Sequence, residues 1–226
     1  MARQGKARPG KVRLGEEWYG KAWVSLIKGG SVEINIRISG VTPLICNKFG
    51  DEEALQASGG SRGSSATRDR GTPQEICEGK LYVGINGDLM IPQPNLLRCL
   101  VEGGRFHKNG KVQVTTAKSS ILYACVDIQG AEIELVHKQP WKVDTRAVRI
   151  PATGGRILRH RPMFDDWQLD FVADLDTTIL GEQFFRKIVD DAGKRIGLGD
   201  FRPHCKGPYG KFRVDLWEVV KLQIAA

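Results

Sequence analysis

The chain has 226 residues and an excess of positive charge, with 34 Lys and Arg against 26 Asp and Glu and a formal net charge of +8. A chain of this length forms one large domain or two small ones and can bury a hydrophobic core. Solubility accounts for part of the charge, but the excess favours polyanionic partners, above all nucleic acid.

The five cysteines follow neither a disulfide nor a metal pattern. Their number is odd and no two of them form a Cys-x-x-Cys pair, which argues against a disulfide framework and a zinc cluster. No apolar run approaches the ~20 residues of a membrane helix, and the basic N-terminus is not followed by a signal-peptide core. The sequence therefore predicts a cytoplasmic protein with no membrane partner, no metal and no cofactor.

Residues 1–30 have the composition of a basic, partly disordered arm. Seven cations face only two acids, and six glycines interrupt the stretch, so it contains too little apolar area to offset its ordering entropy. Trp18, Tyr19 and Trp23 are the exception. Three aromatic residues so close together favour an anchor on a protein surface over a platform for a stacked base.

Residues 31–226 are predicted to form a single domain. The first strand covers residues 31–39, because apolar and polar residues alternate there with period two. Residues 49–73 are rich in Ser, Gly and Arg and predict a long insertion, either functional or simply solvated. Residues 80–91 predict a hairpin that turns at Asn86 and Gly87. A helix then begins at Pro92 and ends at Gly103.

The second half of the chain contains a further predicted insertion at about residues 115–140. A strand at residues 142–150 and the cations up to residue 161 predict a basic hairpin suited to nucleic acid. The next strand covers residues 166–173. An amphipathic helix at residues 181–192 and a last strand at residues 213–222 complete the elements.

A glycine-rich stretch at residues 193–214 joins the last helix to the last strand. It lacks the third glycine of the G-x-G-x-x-G fingerprint and the Gly-Lys-Ser/Thr end of a P-loop, so a nucleotide cofactor is not indicated. Closely spaced glycines allow a backbone to approach a bound anion. If Gly199 faces the ligand, Gly199→Val harms binding more than stability; if the glycines only form turns, the order is reversed.

The nucleic-acid-binding residues predicted from these clusters are Arg98, Arg105, Lys108, Arg146, Arg149, Arg156, Arg159, Arg161, Arg195, Gly197, Gly199, Arg202, Lys206 and Lys211. Without the arm and the insertions, the elements follow the order strand, helix, strand, strand, helix, strand. This order predicts an α+β, ferredoxin-like (RRM-like) fold, a scaffold that RNA-recognition domains use.

Three stretches resemble the RAMP superfamily of CRISPR-associated proteins, and most of all its Cas7-type backbone subunits. They are the end of the first strand at residues 39–44, the Ile-Pro start of the first helix within residues 89–98, and the glycine-rich stretch at residues 196–214. The resemblance implies a palm that holds single-stranded guide RNA by its backbone and repeats along it as a homo-oligomer within a larger ribonucleoprotein. It also implies a thumb-like role for residues 49–73.

These observations favour a non-catalytic subunit that binds single-stranded RNA, or DNA, over two alternatives. The first alternative is a RAMP-type endoribonuclease, for which the candidate residues are His107, His160, His204, Asp51 and Asp69. Most histidines in basic loops donate to phosphate or are solvated, so cleavage is not favoured. The second is a stand-alone relative, such as a phage protein, with an interaction or anti-defence role.

Overall fold

The alternating residues of the first strand form an inner strand of the main sheet. In the computed structural model, which describes residues 30–49, 71–149 and 154–220, Ile34, Ile36 and Ile38 are buried and their neighbours are less so. The strands are β1 Ser31–Gly40, β2 Leu44–Ile45, β3 Met90–Pro92, β4 Lys108–Asn109, β5 Val112–Gln113, β6 Val126–Ile128, β7 Glu132–His137, β8 Lys142–Arg149, β9 Arg156–Phe164, β10 Trp167–Asp176 and β11 Phe212–Val220.

The described helices are fewer than the strands. They are α1 Pro73–Glu78, α2 Gln93–Gly103, α3 Leu122–Cys125 and α4 Glu182–Asp191, with a π-helical turn at Ala192–Ile196 and 3₁₀ turns at Gly104–Phe106 and Pro203–Cys205. The described residues thus form a mixed α+β fold, as the sequence predicts.

The main sheet has the strand order β11-β1-β10-β7-β3, and β6 also pairs with β10. All of these pairs are antiparallel. Residues 126–137, where the sequence predicts an insertion, therefore belong to the main sheet. The element α2 lies in the connection from β1 to β6 and β7, and α4 lies in the connection from β10 to β11.

Both long helices bury their apolar residues in the same core as β1 and β10. Leu96 and Leu100 of α2 and Phe185 and Ile188 of α4 have no exposed surface. The two helices can approach closely because a Cβ on Gly103 would lie 2.7 Å from the Cβ of Ala192. Pro92 precedes α2, and the sequence prediction of this helix agrees with the structure.

A second sheet, with the order β2-β9-β8, stands beside the main sheet. Its strands β8 and β9 form a hairpin, hereafter the arginine hairpin, paired from Lys142 with Met163 to Arg149 with Arg156. The sequence places the cations of residues 156–161 at the entry to the strand at residues 166–173, whereas in the structure residues 156–164 form a strand of their own that pairs with β8.

The predicted hairpin at residues 80–91 is only partly formed. Val83 bridges Leu89, and Gly87 turns with φ +88°, but β3 pairs with β7. In the described part of the chain, no helix is long and apolar enough to cross a membrane, and no group of side chains there has the composition of a metal site.

Candidate nucleic-acid interface

The glycine loop, residues 197–210, is packed against the chain itself. Gly197, Gly199 and Gly210 have φ of +74°, +73° and +68°, values that favour glycine. The amide of Asp200 donates to the carbonyl of Ile45 at 2.7 Å, and the amide of Gly210 donates to the carbonyl of Pro43 at 2.8 Å. The loop is therefore fixed to the end of β2 by backbone hydrogen bonds.

The space beside Gly199 is occupied by protein. A Cβ there would clash with the carbonyl oxygen of Ile45 and lie 2.7 Å from Cδ1 of Leu44. A Cβ on Gly197 would lie 2.9 Å from Cδ of Pro203. Close packing against the chain itself thus explains why these two positions need glycine, without any ligand. The structure therefore favours the turn-forming interpretation over direct contact of Gly199 with a bound strand.

We expect Gly199→Val to lower stability more than binding, because it combines a strained φ with a clash. Strain alone costs on the order of 1–3 kcal/mol, and the contact with β2 adds to it. Gly87→Val is the matched control, since Gly87 also has a positive φ but a Cβ on it would meet no atom within 4 Å. Chemical denaturation measures both. Equal losses of unfolding free energy in the two variants would contradict the packing role.

Arg161, predicted to bind nucleic acid, instead joins the arginine hairpin to the glycine loop. Its side chain is only 7% exposed, and its Nη1 lies 2.7 Å from Oδ2 of Asp200 in the glycine loop. Its Nη2 lies 3.5 Å from Oδ2 of the buried Asp144 in β8. Two carboxylates hold this buried guanidinium away from solvent, which disfavours contact with a bound strand, and a part for Arg161 in binding stays a prediction.

Arg146 is also engaged by the protein. Its Nε donates to Asp144 at 2.7 Å, its Nη2 donates to the hydroxyl of Tyr209, and its guanidinium lies 4.6 Å from the Tyr209 ring centroid. The Asp144 carboxylate is the first cause that raises the pKa of Arg146. Arg146 therefore fixes the last part of the glycine loop against the arginine hairpin, while part of its side chain stays exposed.

The tip of the arginine hairpin places like charges directly opposite each other. Arg149 pairs with Arg156 across the two strands, and Arg146 pairs with Arg159. Arg149 and Arg156 are exposed. Like charges at directly opposite positions destabilise a strand pair, so the free hairpin carries an electrostatic cost that a polyanion would relieve.

A cleft of about 200 Å³ lies between α2 and the glycine loop. Arg98 of α2 and Arg202 of the glycine loop both line it, together with Asn47, Tyr82 and Asn95. Two of the three stretches that resemble the RAMP superfamily, residues 89–98 and 196–214, contribute residues to this cleft, and Leu44 of the third stretch lies beside Gly199. The structure thus brings together residues 98, 197, 199 and 202, which belong to two separate clusters in the sequence.

The side chains of the two arginines that line the cleft are each fixed by a hydrogen-bonding partner within the protein. Arg98 Nε lies 3.1 Å from Oε1 of Glu102, a buried carboxylate, and Arg202 Nη1 donates to the carbonyl of Gly199 at 2.6 Å. Glu102 also pairs with Arg105, with 2.7 Å between Oε2 and Nε. Glu102 is not among the residues predicted from the sequence, although its spacing of four residues from Arg98 is the signal for a helical ion pair.

Two cysteine thiols form part of the cleft wall. Burial raises the pKa of Cys46 and of Cys99 to about 12, and both residues line the cleft. Both thiols are therefore neutral near pH 7. Cys99 Sγ donates to the carbonyl of Gly197 at 3.3 Å, a contact that supports the glycine loop.

Four further predicted cations lie outside the arginine hairpin and do not line the cleft. Arg195 pairs with Asp191 at 3.2 Å and lies 4.7 Å from the Phe106 ring centroid. Lys108 is exposed on β4, Lys206 is exposed with φ +62°, and Lys211 is half-buried at the end of the glycine loop. Their part in binding stays a prediction.

Two of the three candidate catalytic histidines contact other side chains of the protein. His107 Nε2 lies 3.0 Å from Oδ2 of Asp191, and its ring meets Phe184 edge to face. His160 Nδ1 lies 2.8 Å from Oγ1 of Thr145, and His204 is exposed. Asp51, Asp69 and the aromatic residues of the predicted arm lie outside the described residues.

The face of the main sheet opposite to α2 and α4 is acidic. Asp174 of β10 stands directly between Asp127 of β6 and Glu33 of β1. Partial burial raises the pKa of Asp174, and the carboxylates of Glu33 and Asp127 add to the rise. The acidic side chains of this face are Glu33, Asp127, Asp170, Asp174, Asp215 and Glu218. A polyanion is therefore directed away from this face and toward the cleft and the arginine hairpin.

Comparison with known proteins adds a likeness of fold. No protein-family model matches the chain, and no curated protein matches it. A chain in the cryo-EM structure of the Type III-B Cmr-beta bound to cognate target RNA matches with a TM-score of 0.50 and 12% sequence identity. The match covers 91% of this chain and 66% of that chain. At this identity the likeness is one of fold, and it supports the RAMP-like fold that the three sequence stretches imply.

Proposed function

We propose that this protein is a non-catalytic, Cas7-like subunit that binds single-stranded RNA within a ribonucleoprotein. The described strand order supports the ferredoxin-like palm that this function requires. In this proposal β11, β1 and β10 take the places of the fourth, first and third strands of that fold. The strands β6 and β7 together take the place of the second, and α2 and α4 those of the two crossover helices.

The single observation that carries the proposal is the tip of the arginine hairpin. Arg149 and Arg156 are exposed and directly opposite each other, an arrangement that costs stability in the free protein. A phosphate chain would offset this cost, because each phosphate is an anion that a guanidinium binds with two donors. The formal net charge of +8 agrees with such a partner.

The hairpin also stands next to the second set of cations. Arg161 joins it to Asp200, and Asp200 lines the cleft that contains Arg98 and Arg202. A strand that lies along the hairpin would therefore pass the mouth of the cleft. The structural neighbour belongs to a complex bound to target RNA, which favours RNA over DNA for this chain. The proposal includes head-to-tail copies along one strand, because a head-to-tail contact that does not close generates an open filament.

Fluorescence anisotropy with labelled single-stranded RNA, single-stranded DNA and duplex RNA tests the proposal. We expect single-stranded RNA to bind most tightly, with the logarithm of affinity falling linearly as the logarithm of salt rises. Mass photometry of the saturated complex measures the number of copies per strand, which should rise with strand length. Absence of binding at low salt, or affinity that does not depend on salt, would contradict the proposal.

A further inference from the structure

The interior of the cleft differs chemically from its mouth. Arg98 and Arg202 line it together with apolar residues, among them Ile91 and Leu198, and polar groups that include Tyr82 and Asn95. Phosphate contacts need cations and amides, whereas an apolar wall with a few hydrogen-bonding groups is typical of a site for an organic ring. The cleft therefore contains apolar surface and hydrogen-bonding groups that a phosphate chain alone would leave uncontacted.

The volume of the cleft limits what it can hold. Its 200 Å³ is below the roughly 300–1,000 Å³ of pockets for drug-sized ligands. The space suits one flat ring system and excludes a folded oligonucleotide. Unstacked bases of single-stranded RNA are such ring systems, and proteins bind them by stacking on aromatic rings and by hydrogen bonds to base edges.

The polar side chains of the cleft are of the types that hydrogen-bond to the edge of a nucleobase. The side chains of Tyr82 and Asn95 hydrogen-bond to each other, and burial raises the pKa of Tyr82, so its hydroxyl is neutral near pH 7. Asn47 and Asn95 are exposed, and both line the cleft. An amide side chain presents both a donor and an acceptor, and asparagine pairs with base edges in this way.

We propose that the cleft takes one unstacked nucleobase of the bound strand, with the adjoining phosphates on Arg98 and Arg202. This inference rests on the proposed function, and it adds a base-dependent contact to binding that otherwise depends on the phosphate backbone. The Glu102 carboxylate and the Gly199 carbonyl, which hold the two arginines, position them at the mouth of the cleft. Asn47, Tyr82 and Asn95 contact the base.

The test compares strands that have bases with a strand that has none. Oligoadenylate, oligocytidylate and oligouridylate of about 12 nucleotides, within the site sizes of single-strand binders, are compared with an abasic ribose-phosphate strand of the same length. At least one base-containing strand should bind the wild-type protein about 10-fold or more tightly than the abasic strand, because a base edge adds hydrogen bonds with Asn47, Tyr82 and Asn95 that the abasic strand lacks.

Two bulky variants then fill the cleft from two different segments of its wall, α2 and the residues after β2. Asn95→Trp and Asn47→Trp should each lower the affinity of the base-containing strand to that of the abasic strand and leave the abasic affinity unchanged. Gln183→Trp is the matched control, because Gln183 is an exposed, uncharged residue of α4 that does not line this cleft. Thermal unfolding confirms that each variant is folded.

The outcomes separate this inference from the proposed function. Equal binding of all strands, including the abasic one, would overturn the base site and leave RNA binding intact. A parallel loss for base-containing and abasic strands in Asn95→Trp would assign the cleft to the phosphate backbone and overturn the inference as well. If none of the strands binds the wild-type protein, the proposed function itself fails.

Discussion

The double variant Arg149→Gln, Arg156→Gln is expected to bind RNA more weakly than the wild type while remaining at least as stable. Binding weakens because two guanidinium contacts to phosphate are lost. For single strands each contact contributes about 0.7 to the salt slope, so the slope should fall by about 1.4 and the affinity at 0.1 M salt by roughly 25-fold. A salt series of anisotropy titrations measures both quantities.

The stability of the same variant should change in the opposite direction. Arg149 and Arg156 are directly opposite on β8 and β9, and removal of a like-charge cross-strand pair stabilises a sheet by about 0.2–1 kcal/mol. Chemical denaturation of the RNA-free protein measures this difference. Opposite signs for binding and stability would identify the pair as functional, since a purely structural pair would not destabilise the fold.

A matched control separates the location of the charges from their number. Arg37→Gln, Arg213→Gln removes the same charge from the acidic face of the main sheet, where Arg37 pairs with Asp170 and Arg213 pairs with Asp215. This control should retain the wild-type salt slope. If the two double variants lost affinity equally, binding would depend on net charge alone, and the arginine hairpin would not be the binding surface.

The sequence predicts best those elements whose residues repeat with a fixed period. The alternation at residues 31–39 defines β1 almost to its ends, and the prolines before α2 locate the start of that helix. The amphipathic pattern of α4 is equally clear. In each case, local spacing determines which side chains are buried, so no knowledge of the partner element is needed.

The sequence does not indicate what a glycine or an arginine contacts. The glycine pattern predicts that Gly199 lies near a bound strand, but its neighbour is Ile45, more than a hundred residues away along the chain. Arg161 resembles the exposed cations around it, yet Asp144 and Asp200 enclose it. Such contacts depend on how the second sheet sits beside the glycine loop, which no local pattern encodes.

The cleft, too, could not be predicted from local sequence patterns. Arg98 and Arg202 could be predicted as basic residues, but their convergence requires α2 and the glycine loop to meet. Tyr82, Asn95 and Glu102 could not be identified, since each of them alone is ordinary in its segment. The resemblance to RAMP proteins rests on three stretches, and residues of two of them line one cleft.

The variant Arg161→Met is expected to lose at most about 3–5 kcal/mol of unfolding free energy, because removal of one member of a buried ion-pair network leaves its carboxylates with fewer partners. Asp144 is 7% exposed and would keep only Arg146, while Asp200 would lose its contact at 2.7 Å. Chemical denaturation measures the loss. Arg156→Met, at the exposed end of the same strand, is the control and should lose no unfolding free energy, because it removes a like-charge pair.

RNA binding by the folded fraction of Arg161→Met distinguishes a structural arginine from one that binds phosphate. A structural Arg161 predicts a salt slope equal to that of the wild type, because the number of phosphate contacts is unchanged. Hydrogen exchange should rise in β8 and β9 more than in β1 and β10, since Arg161 fastens the hairpin to the glycine loop. Full stability together with a slope lowered by about 0.7 would instead show that Arg161 turns to the RNA. The arginine hairpin then would bind through both its tip and its base.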